Sequence, residues 1–299
     1  MYTHIKGVQI LISLLKQFNI SHVVLSPGTR NTALAGSIEN DPFFHCYSIV
    51  DERSAGYFAL GLSEALDEPV CVSCTAATAT CNYLPAMKEA YERNIQLVAL
   101  TADQNPYEMF HMEDQCIDQV DMFHGYVKLA VDVPKVMNDA DYWYCNRRMN
   151  EAFLELDHHG KGPIQINYHM SYDLNEISTY DVEELPVTRK IDRYEINADF
   201  AEFANMLSSK KRIMVVGGSE FTEDGKLRRA INTFTEKYNA VVIADTYANI
   251  YSDNDKIFNP KALGDTITAD HLIWCGLLFY NQVLYASVLK HYRALADLY

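Results

Sequence analysis

Short apolar segments alternate with amphipathic segments along the first 170 residues of the chain. Between residues 5 and 18, apolar side chains follow the i, i+3, i+4, i+7 spacing of one helix face, which predicts a helix. The apolar run at 22–26 then ends in Pro27-Gly28, which indicates a short buried strand closed by a turn. The same alternation predicts further strands at 46–50, 70–74, 96–101, 127–131 and 163–167, with helices at 31–39, after Asp51, at about 80–93 and at about 140–158.

This order of elements is typical of an α/β fold, in which short apolar strands form a doubly wound, mostly parallel sheet with helices on both faces. In such sheets ligands bind beyond the carboxyl ends of the strands. We therefore expect the functional residues to lie directly after the strands. The segments in that position are 26–30, 51–53, 75–78 and 102–104.

The regular pattern covers residues 1–172, which we interpret as the first domain. Residues 173–197 are acidic and poorly periodic, so we interpret them as an interdomain linker. Residues 198–299 then indicate part of a second, smaller α/β domain. Its predicted elements are strands at 212–216, 240–244 and 271–275 and a helix at about 226–238.

The formal net charge of −15 argues against a nucleic acid or an anionic membrane as partner, and it means that an acidic substrate needs a local basic pocket. No apolar run approaches the roughly 20 residues that span a bilayer. The N-terminal residues lack the pattern of a signal peptide. The cysteines show no disulfide framework, so we expect a reduced, cytoplasmic protein. Cys71 and Cys74 lie in a strand-like run, which favours buried thiols over a metal or redox pair.

Three of the predicted strand ends carry candidate chemistry. Arg30 presents a planar guanidinium that can bind a carboxylate through two hydrogen bonds, or it can form a surface salt bridge. Glu52 opens an apolar helix, where it can hold a proton in a dry cleft or simply interact with the helix dipole. The small residues at 75–78 allow a ligand to approach the backbone, or they cap a helix. Residue types alone leave these alternatives open.

Five motifs, taken together and in order, resemble the pyrimidine-binding domain of thiamine-diphosphate-dependent enzymes. The nearest resemblance is to the 2-succinyl-5-enolpyruvyl-6-hydroxy-3-cyclohexene-1-carboxylate synthases of menaquinone biosynthesis. The motifs are Leu25-Ser26-Pro27-Gly28-Thr29-Arg30 (family pattern L-S-P-G-S-R), Asp51-Glu52-Arg53, Thr101-Ala102-Asp103, Asp114-Gln115-Cys116-Ile117 and Gly162-Pro163-Ile164-Gln165-Ile166-Asn167. The resemblance implies that the first domain binds the pyrimidine end of thiamine diphosphate and that residues 198–299 are the first part of a central domain.

The resemblance gives Glu52 a catalytic role. A glutamate at the matching position of the family hydrogen-bonds a ring nitrogen of the aminopyrimidine and so promotes removal of the thiazolium C2 proton. This role requires a carboxyl group in a cleft with little water, where its proton is shared rather than lost. The same resemblance implies that Ser26, Pro27, Glu52 and Thr78 bind the cofactor.

The resemblance also implies a reaction and the residues that bind its substrates. Thr29, Arg30 and Gln115 match positions that contact acidic substrates. The implied reaction decarboxylates 2-oxoglutarate and adds the resulting carbanion to isochorismate. Two departures leave the substrate open, since Gln104 stands where the family has arginine and Ala76-Ala77 stand where Ser-Gly is usual. Another 2-oxoacid decarboxylase or carboligase is therefore the alternative, followed by a non-catalytic remnant.

The sequence contains no Gly-Asp-Gly motif of the kind with which these enzymes bind Mg²⁺ and the diphosphate. We therefore expect no metal ligands in this chain, and we expect Mg²⁺ to be bound only through a missing domain or a partner chain that carries the motif. Alone, the chain is expected to be inactive. Because family members form active sites between subunits, the implied minimum is a homo- or hetero-oligomer, a dimer at least.

Overall fold

The structure is a computed structural model, and it describes residues 1–170, 173–193, 199–217, 225–244, 256–258 and 271–275. The chain forms two compact units, Met1–Arg193 and Tyr194–Tyr299. The remainder of the predicted second domain lies outside the described residues. Among the helices that are described, none is long and apolar enough to cross a membrane.

A six-stranded parallel sheet forms the centre of the first unit. The strands of this unit are β1 (Tyr2–Thr3), β2 (His22–Leu25), β3 (His45–Ser48), β4 (Val70–Cys74), β5 (Leu97–Asp103), β6 (Leu129–Val133), β7 (Ile164–His169) and β8 (Tyr180–Val182). The sheet has the order β3-β2-β4-β5-β7-β6, and each neighbouring pair is parallel. Because parallel strands need crossover connections, the chain returns to the same end of the sheet before each new strand, by a helix in every case except the loop between β5 and β6.

Helices cover both faces of this sheet. They are α1 (Lys6–Gln17), α2 (Thr32–Glu39), α3 (Glu52–Leu66), α4 (Thr78–Cys81), α5 (Leu84–Arg93), α6 (Asp139–Leu154) and α7 (Leu174–Ile177). One core joins α1, α2 and α6 to one face of the sheet, and a second core joins α3 and α5 to the opposite face. The predicted doubly wound α/β sheet is therefore confirmed.

The predicted helix at about 80–93 is divided in the structure. It consists of α4 and α5, which are separated at Asn82 and Tyr83. Pro85 stands at the start of α5, where a missing N–H leaves no helical hydrogen bond unmade and the fixed φ angle suits a new helix.

Cys71 and Cys74 lie on opposite faces of β4. Cys71 packs in the core beside α1, whereas Cys74 packs in the core beside α3. Side chains three residues apart on a strand point in opposite directions. The two thiols therefore do not converge on one ion. Their spacing instead places one thiol in each of the two cores.

Residues 173–193, which the sequence pattern assigns to a linker, belong to the first compact unit. β8 pairs antiparallel with β1, with Thr3 opposite Tyr180. Tyr180 Oη donates a 2.7 Å hydrogen bond to the carbonyl oxygen of Thr32. Farther on, Asn150 Nδ2 donates to the carbonyl oxygen of Arg189 at 2.9 Å. These contacts join residues that are distant in sequence. Acidity and weak periodicity are local features that give no sign of such contacts, so the sequence alone indicated a linker.

The second unit contains a four-stranded parallel sheet among its described residues. Its elements are α8 (Ala201–Ser208), β9 (Ile213–Gly217), α9 (Gly225–Tyr238), β10 (Val241–Ala244), β11 (Ile257–Phe258) and β12 (His271–Cys275). The strand order is β11-β10-β9-β12, with every pair parallel. Three of these strands were predicted from their apolar runs, whereas β11 is too short to give such a signal.

Candidate functional site

The carboxyl ends of β2, β4 and β5 lie side by side in the centre of the first sheet. Leu25 is in register with Ser73, and Cys74 is in register with Thr101. The N–H of Ser26 then donates to the carbonyl oxygen of Ser73 at 2.9 Å. Three of the segments predicted to carry function, 26–30, 75–78 and 102–104, are therefore brought to one edge of the sheet.

A close approach between two loops shapes the turn after β2. A Cβ added to Gly28 would lie 2.3 Å from Thr75 Cβ, so only glycine allows this packing. Thr75 Oγ1 accepts a 3.2 Å hydrogen bond from the N–H of Arg30. The side chain of Arg30 is buried, whereas Pro27 and Thr29 are exposed. Thr75 thereby holds the backbone of Arg30, one of the predicted substrate-binding residues, in place.

Ser26 has a structural partner. Its hydroxyl donates a 2.9 Å hydrogen bond to the carbonyl oxygen of Ile49, and the residue is fully buried. This bond holds the segment that leads into α3. Ser26 therefore supports the position of Glu52 from the neighbouring strand end.

Glu52 lies half-buried on the first turn of α3. The preceding residue, Asp51, caps the helix by accepting the N–H of Ser54 at 2.8 Å, and this bond lowers the pKa of Asp51. The pKa of the Cys74 thiol is raised to about 12, mainly by burial, with a lowering contribution from its contact with the Thr80 hydroxyl and a smaller raising one from the Glu52 carboxylate. Burial and the same carboxylate also raise the pKa of Tyr83. Helix capping is thus performed by Asp51, while the Glu52 carboxylate acts electrostatically on Cys74, at the end of β4, and on Tyr83.

Gly56 makes room for the Tyr83 ring against the face of α3 that also carries Glu52. Gly56 lies one helical turn after Glu52, where a Cβ would lie 3.4 Å from the ring of Tyr83 and 2.9 Å from Ala86 Cβ. Tyr83 is completely buried, and its hydroxyl has no hydrogen-bond partner among the described residues. A buried, unsatisfied hydroxyl is therefore located near the Glu52 carboxylate.

The segment 75–78 adopts an uncommon backbone conformation. Ala77 has φ 70° and ψ −129°, a region that glycine adopts far more readily than other residues. Its N–H donates to Gln119 Oε1 at 2.9 Å. Thr78 follows as an exposed residue at the start of α4. Gln119 thus keeps this strained segment next to the strand ends.

A network of polar side chains, buried except for the half-buried Asp132, connects β5, β6 and β7. Asn167 Nδ2 donates to Asp103 Oδ2 at 2.8 Å and to Asp132 Oδ1 at 2.7 Å. His169 Nε2 lies 3.1 Å from Asp132 Oδ2. Burial would raise the pKa of Asp132, but its bonds to His169 and Asn167 lower it overall. The pKa of Asp103 is raised, mainly by burial.

Asp103, Asp132 and His169 are also close enough together to suit a metal ion, with ligand atoms within 4.8 Å of one another. Asn167 Nδ2, however, lies between the two carboxylates as a hydrogen-bond donor. Its orientation follows from Asn167 Oδ1, which accepts from Thr101 Oγ1 at 2.9 Å and from Gln119 Nε2 at 2.8 Å. The side chains of this cluster are therefore held together by hydrogen bonds. The Asn167 amide donates to both carboxylates and takes the place that a cation would have between them.

The loop 105–118 follows this network and carries Gln115. Gln115 is exposed and has φ 52°, a left-handed conformation. Burial raises the pKa of the neighbouring Cys116 thiol, and Asp103 raises it further, whereas the Arg30 guanidinium opposes them. Arg30 and Cys116, the residue after Gln115, are therefore electrostatic neighbours, although they are 86 residues apart in the sequence.

The predicted site residues thus form two neighbouring groups on one edge. One consists of the cofactor candidates Ser26, Pro27, Glu52 and Thr78, which follow β2, β3 and β4. The other consists of the substrate candidates Thr29 and Arg30, after β2, and Gln115, in the loop after β5. Sequence reasoning gave no individual role to Thr75, Gln119, Asp132, Asn167 or His169, although 75–78 is one of its strand-end segments and Asn167 closes one of its motifs. Asp132, Asn167 and His169 lie at the ends of β6 and β7, so the strand-end criterion would have found them had it been applied there.

Comparison with known proteins identifies the first unit. Residues 5–122 match the model of a domain described as the thiamine pyrophosphate enzyme N-terminal TPP binding domain. The first unit therefore carries a domain of the thiamine pyrophosphate enzyme family. A crystal structure of benzoylformate decarboxylase from Polynucleobacter necessarius has a similar fold, with a TM-score of 0.50 at 19% identity over 95% of this chain and 54% of that chain.

Curated members of this thiamine pyrophosphate enzyme family are similar over most of the chain. The 2-succinyl-5-enolpyruvyl-6-hydroxy-3-cyclohexene-1-carboxylate synthase of Bacteroides fragilis is 40% identical over 222 residues, which are 73% of this chain and 40% of that protein. The synthase of the same name from Porphyromonas gingivalis is 34% identical over 291 residues, 95% of this chain and 50% of that protein. The chain therefore spans about half the length of the curated relatives it matches.

Proposed function

We propose that this chain supplies the pyrimidine side of a thiamine-diphosphate-dependent carboligase. In this proposal the enzyme decarboxylates 2-oxoglutarate and adds the remaining unit to isochorismate, a step of menaquinone biosynthesis. The observation that carries the proposal is Glu52, a half-buried carboxylate at the carboxyl edge of the sheet, within the matched domain. The similarity to synthases with this product supports the choice of substrates.

The residues around Glu52 suit the pyrimidine ring of the cofactor. Glu52 offers a carboxylate that can hydrogen-bond a ring nitrogen, and the adjacent hydroxyl of Tyr83 is buried without a partner. Thr78 is exposed beside them, with the strained segment at Ala77 held by Gln119. Thiamine diphosphate, when bound, supplies the electron sink for decarboxylation. Glu52 would hold and return a proton at the ring nitrogen, protected from bulk water by its partial burial.

The second group of residues suits an acidic substrate. Arg30 combines a buried setting with a charge that matches carboxylates, and charge-assisted hydrogen bonds are stronger where water is limited. Thr29 and Gln115 lie exposed on the same edge and offer a hydroxyl and an amide. We propose that these three residues bind the carboxylates of the substrates, next to the position of the cofactor.

We further propose that the diphosphate and Mg²⁺ are bound by a polypeptide segment or partner chain that carries a Gly-Asp-Gly motif. The chain spans about half of its curated relatives, and its own sequence lacks that motif. In this proposal the active form is at least dimeric, and the isolated chain is inactive. A different 2-oxoacid is the second candidate, favoured by Gln104 in place of the family arginine.

The test is to combine the chain with such a diphosphate-binding partner and to measure CO₂ release from 2-oxoglutarate. We expect release that depends on both thiamine diphosphate and Mg²⁺. Replacing 2-oxoglutarate with pyruvate or benzoylformate separates the two candidate functions, because only the second candidate predicts faster release from another 2-oxoacid.

The role of Glu52 is tested in the same assay with Glu52→Gln. We expect turnover to fall by about 100-fold or more, as for the loss of a general acid–base group. Glu64→Gln is the matched control, since Glu64 lies on the same helix, is exposed and pairs with Arg93. Equal turnover in the Glu52→Gln variant and the control would contradict the proton-holding role.

A further inference from the structure

We propose that Gln104 is a positioning residue, which holds the loop 105–118 down on the sheet edge and so determines where Gln115 lies. The part of this inference that concerns substrate rests on the proposed function. The part that concerns the loop rests on hydrogen bonds of this chain alone.

The backbone of Gln104 is fixed at both of its polar atoms. Its N–H donates to Asp103 Oδ1 at 2.7 Å, and its carbonyl oxygen contacts His169 Nδ1. The other ring nitrogen of His169 faces the Asp132 carboxylate, so both nitrogens face acceptors. A neutral imidazole can donate to only one of them. The arrangement therefore favours the doubly protonated ring, which binds β5 and β6 to the start of the loop.

The side chain of Gln104 uses this anchor to hold the loop. Nε2 donates to the carbonyl oxygen of Asp114 at 2.5 Å and to that of Gln115 at 2.7 Å. Both amide hydrogens are thereby used, and the residue is only 3% exposed. Two successive carbonyl groups can converge on one nitrogen here because Gln115 is in the left-handed conformation. The conformation of Gln115 and the amide of Gln104 are therefore coupled.

Elsewhere the first half of the loop has little support from the rest of the unit. The hydrogen bonds of residues 105–111 close local turns, such as that from the N–H of Glu108 to the carbonyl oxygen of Asn105. The side chains of Tyr107, Phe110 and Met112 are 85%, 88% and 101% exposed. The bonds from Gln104 thus attach the segment that carries Gln115 to the end of β5, and the buried Gln119 holds the chain that follows it. The position where the family has arginine serves here to hold the backbone.

The loop itself is tested by hydrogen–deuterium exchange with mass spectrometry on the full chain. Gln104→Glu keeps the shape of the side chain and removes both donors at neutral pH. We expect amides of residues 105–118 to exchange about tenfold faster or more in this variant, as follows from the loss of two buried hydrogen bonds. Gln96→Ala is the matched control, because Gln96 Nε2 also donates to a backbone carbonyl, that of Leu156, beside the opposite end of β5.

Unchanged exchange of the loop in a folded Gln104→Glu variant would overturn the inference, as would equal acceleration in the Gln96→Ala control. Gln104→Met serves if the charged variant does not fold. Asp132→Asn offers a route that leaves Gln104 in place, since it weakens the His169 anchor, and it should accelerate exchange in the same peptides.

The effect on substrate binding is tested with the complemented enzyme, which is this chain combined with the diphosphate-binding partner. We expect Gln104→Met to raise KM for the acidic substrate by about tenfold while kcat changes less than threefold, since binding depends on Gln115 and the chemistry does not. A fall of kcat alone would contradict a positioning role. If no variant of the enzyme is active, the proposed function fails, whereas the exchange result still decides the attachment of the loop.

Discussion

The N–H of Ala77 donates a 2.9 Å hydrogen bond to Gln119 Oε1, and Ala77 is held at φ 70° and ψ −129°. Gln119 Nε2 also donates to the carbonyl oxygen of Ala102 at 3.0 Å and to Asn167 Oδ1. One buried amide therefore connects the loop after β4 to the ends of β5 and β7. Ala77 thus keeps a backbone conformation that is energetically unfavourable for alanine, next to the candidate cofactor residues.

Relieving this strain should stabilise the first unit. A non-glycine residue in such a region costs about 1–3 kcal/mol, while glycine adds about 0.5–1 kcal/mol of unfolded-state entropy. We expect Ala77→Gly to raise the free energy of unfolding by about 1 kcal/mol, measured by urea denaturation. Ala79→Gly, in α4, should lower it instead. Equal losses in both variants would show that Ala77 is not strained.

The contact between Gly28 and Thr75 leads to a second prediction. In Gly28→Ala the new Cβ would lie 2.3 Å from Thr75 Cβ, so one of the two loops must move. We expect a loss of about 1–3 kcal/mol in the free energy of unfolding. Gly61→Ala on α3 is the control, because a Cβ there meets no atom within 4 Å. That variant should gain about 0.5–1 kcal/mol from helix propensity. Stabilisation by both substitutions would refute the close packing.

His169 should make the stability of the first unit depend on pH. Burial lowers its pKa, but the Asp132 carboxylate and the Gln104 carbonyl raise it more, so the pKa in the folded chain is above its usual value. The folded state then binds this proton more tightly than the unfolded state does. The resulting stability is complete below about pH 6.5 and is lost as the pH rises through the raised pKa.

We therefore expect His169→Gln to lower the free energy of unfolding most near pH 6 and progressively less toward pH 9. Denaturation curves across this range measure the difference from the original chain. His124→Gln is the control, since the His124 side chain is 86% exposed and pairs with the nearby Asp121. A constant difference at all pH values would mean that the charge of His169 contributes nothing.

Arg30 provides a prediction about substrate binding. In the complemented enzyme, Arg30→Ala should raise KM for the acidic substrate by about 10–100-fold, the range for a lost charge-assisted hydrogen bond. Arg30→Lys should recover part of this loss, because it keeps the charge without the planar fork. Arg93→Ala removes an exposed arginine that pairs with Glu64 and should leave KM unchanged. If Arg30→Ala alters only the affinity for thiamine diphosphate, Arg30 belongs to the cofactor group instead.

The alternation of apolar runs was sufficient to predict most of the fold. β4 and β9, for example, were located within one residue at each end, because strands buried on both faces must be apolar throughout. β1 and β8 were missed because a short antiparallel pair between residues about 180 positions apart has no local pattern. The attachment of residues 173–193 depends on similar distant contacts, such as that of Arg189 with Asn150.

For the candidate site, the sequence by itself determined which residue types stand at the strand ends, including Glu52 and Arg30. Only the tertiary structure decided which of them meet and what supports them. Ser26 and Gln104 illustrate the difference, because each uses its side chain on a backbone carbonyl of another segment. Such bonds join partners that the chain order separates, and backbone carbonyls carry no signature in the amino-acid sequence.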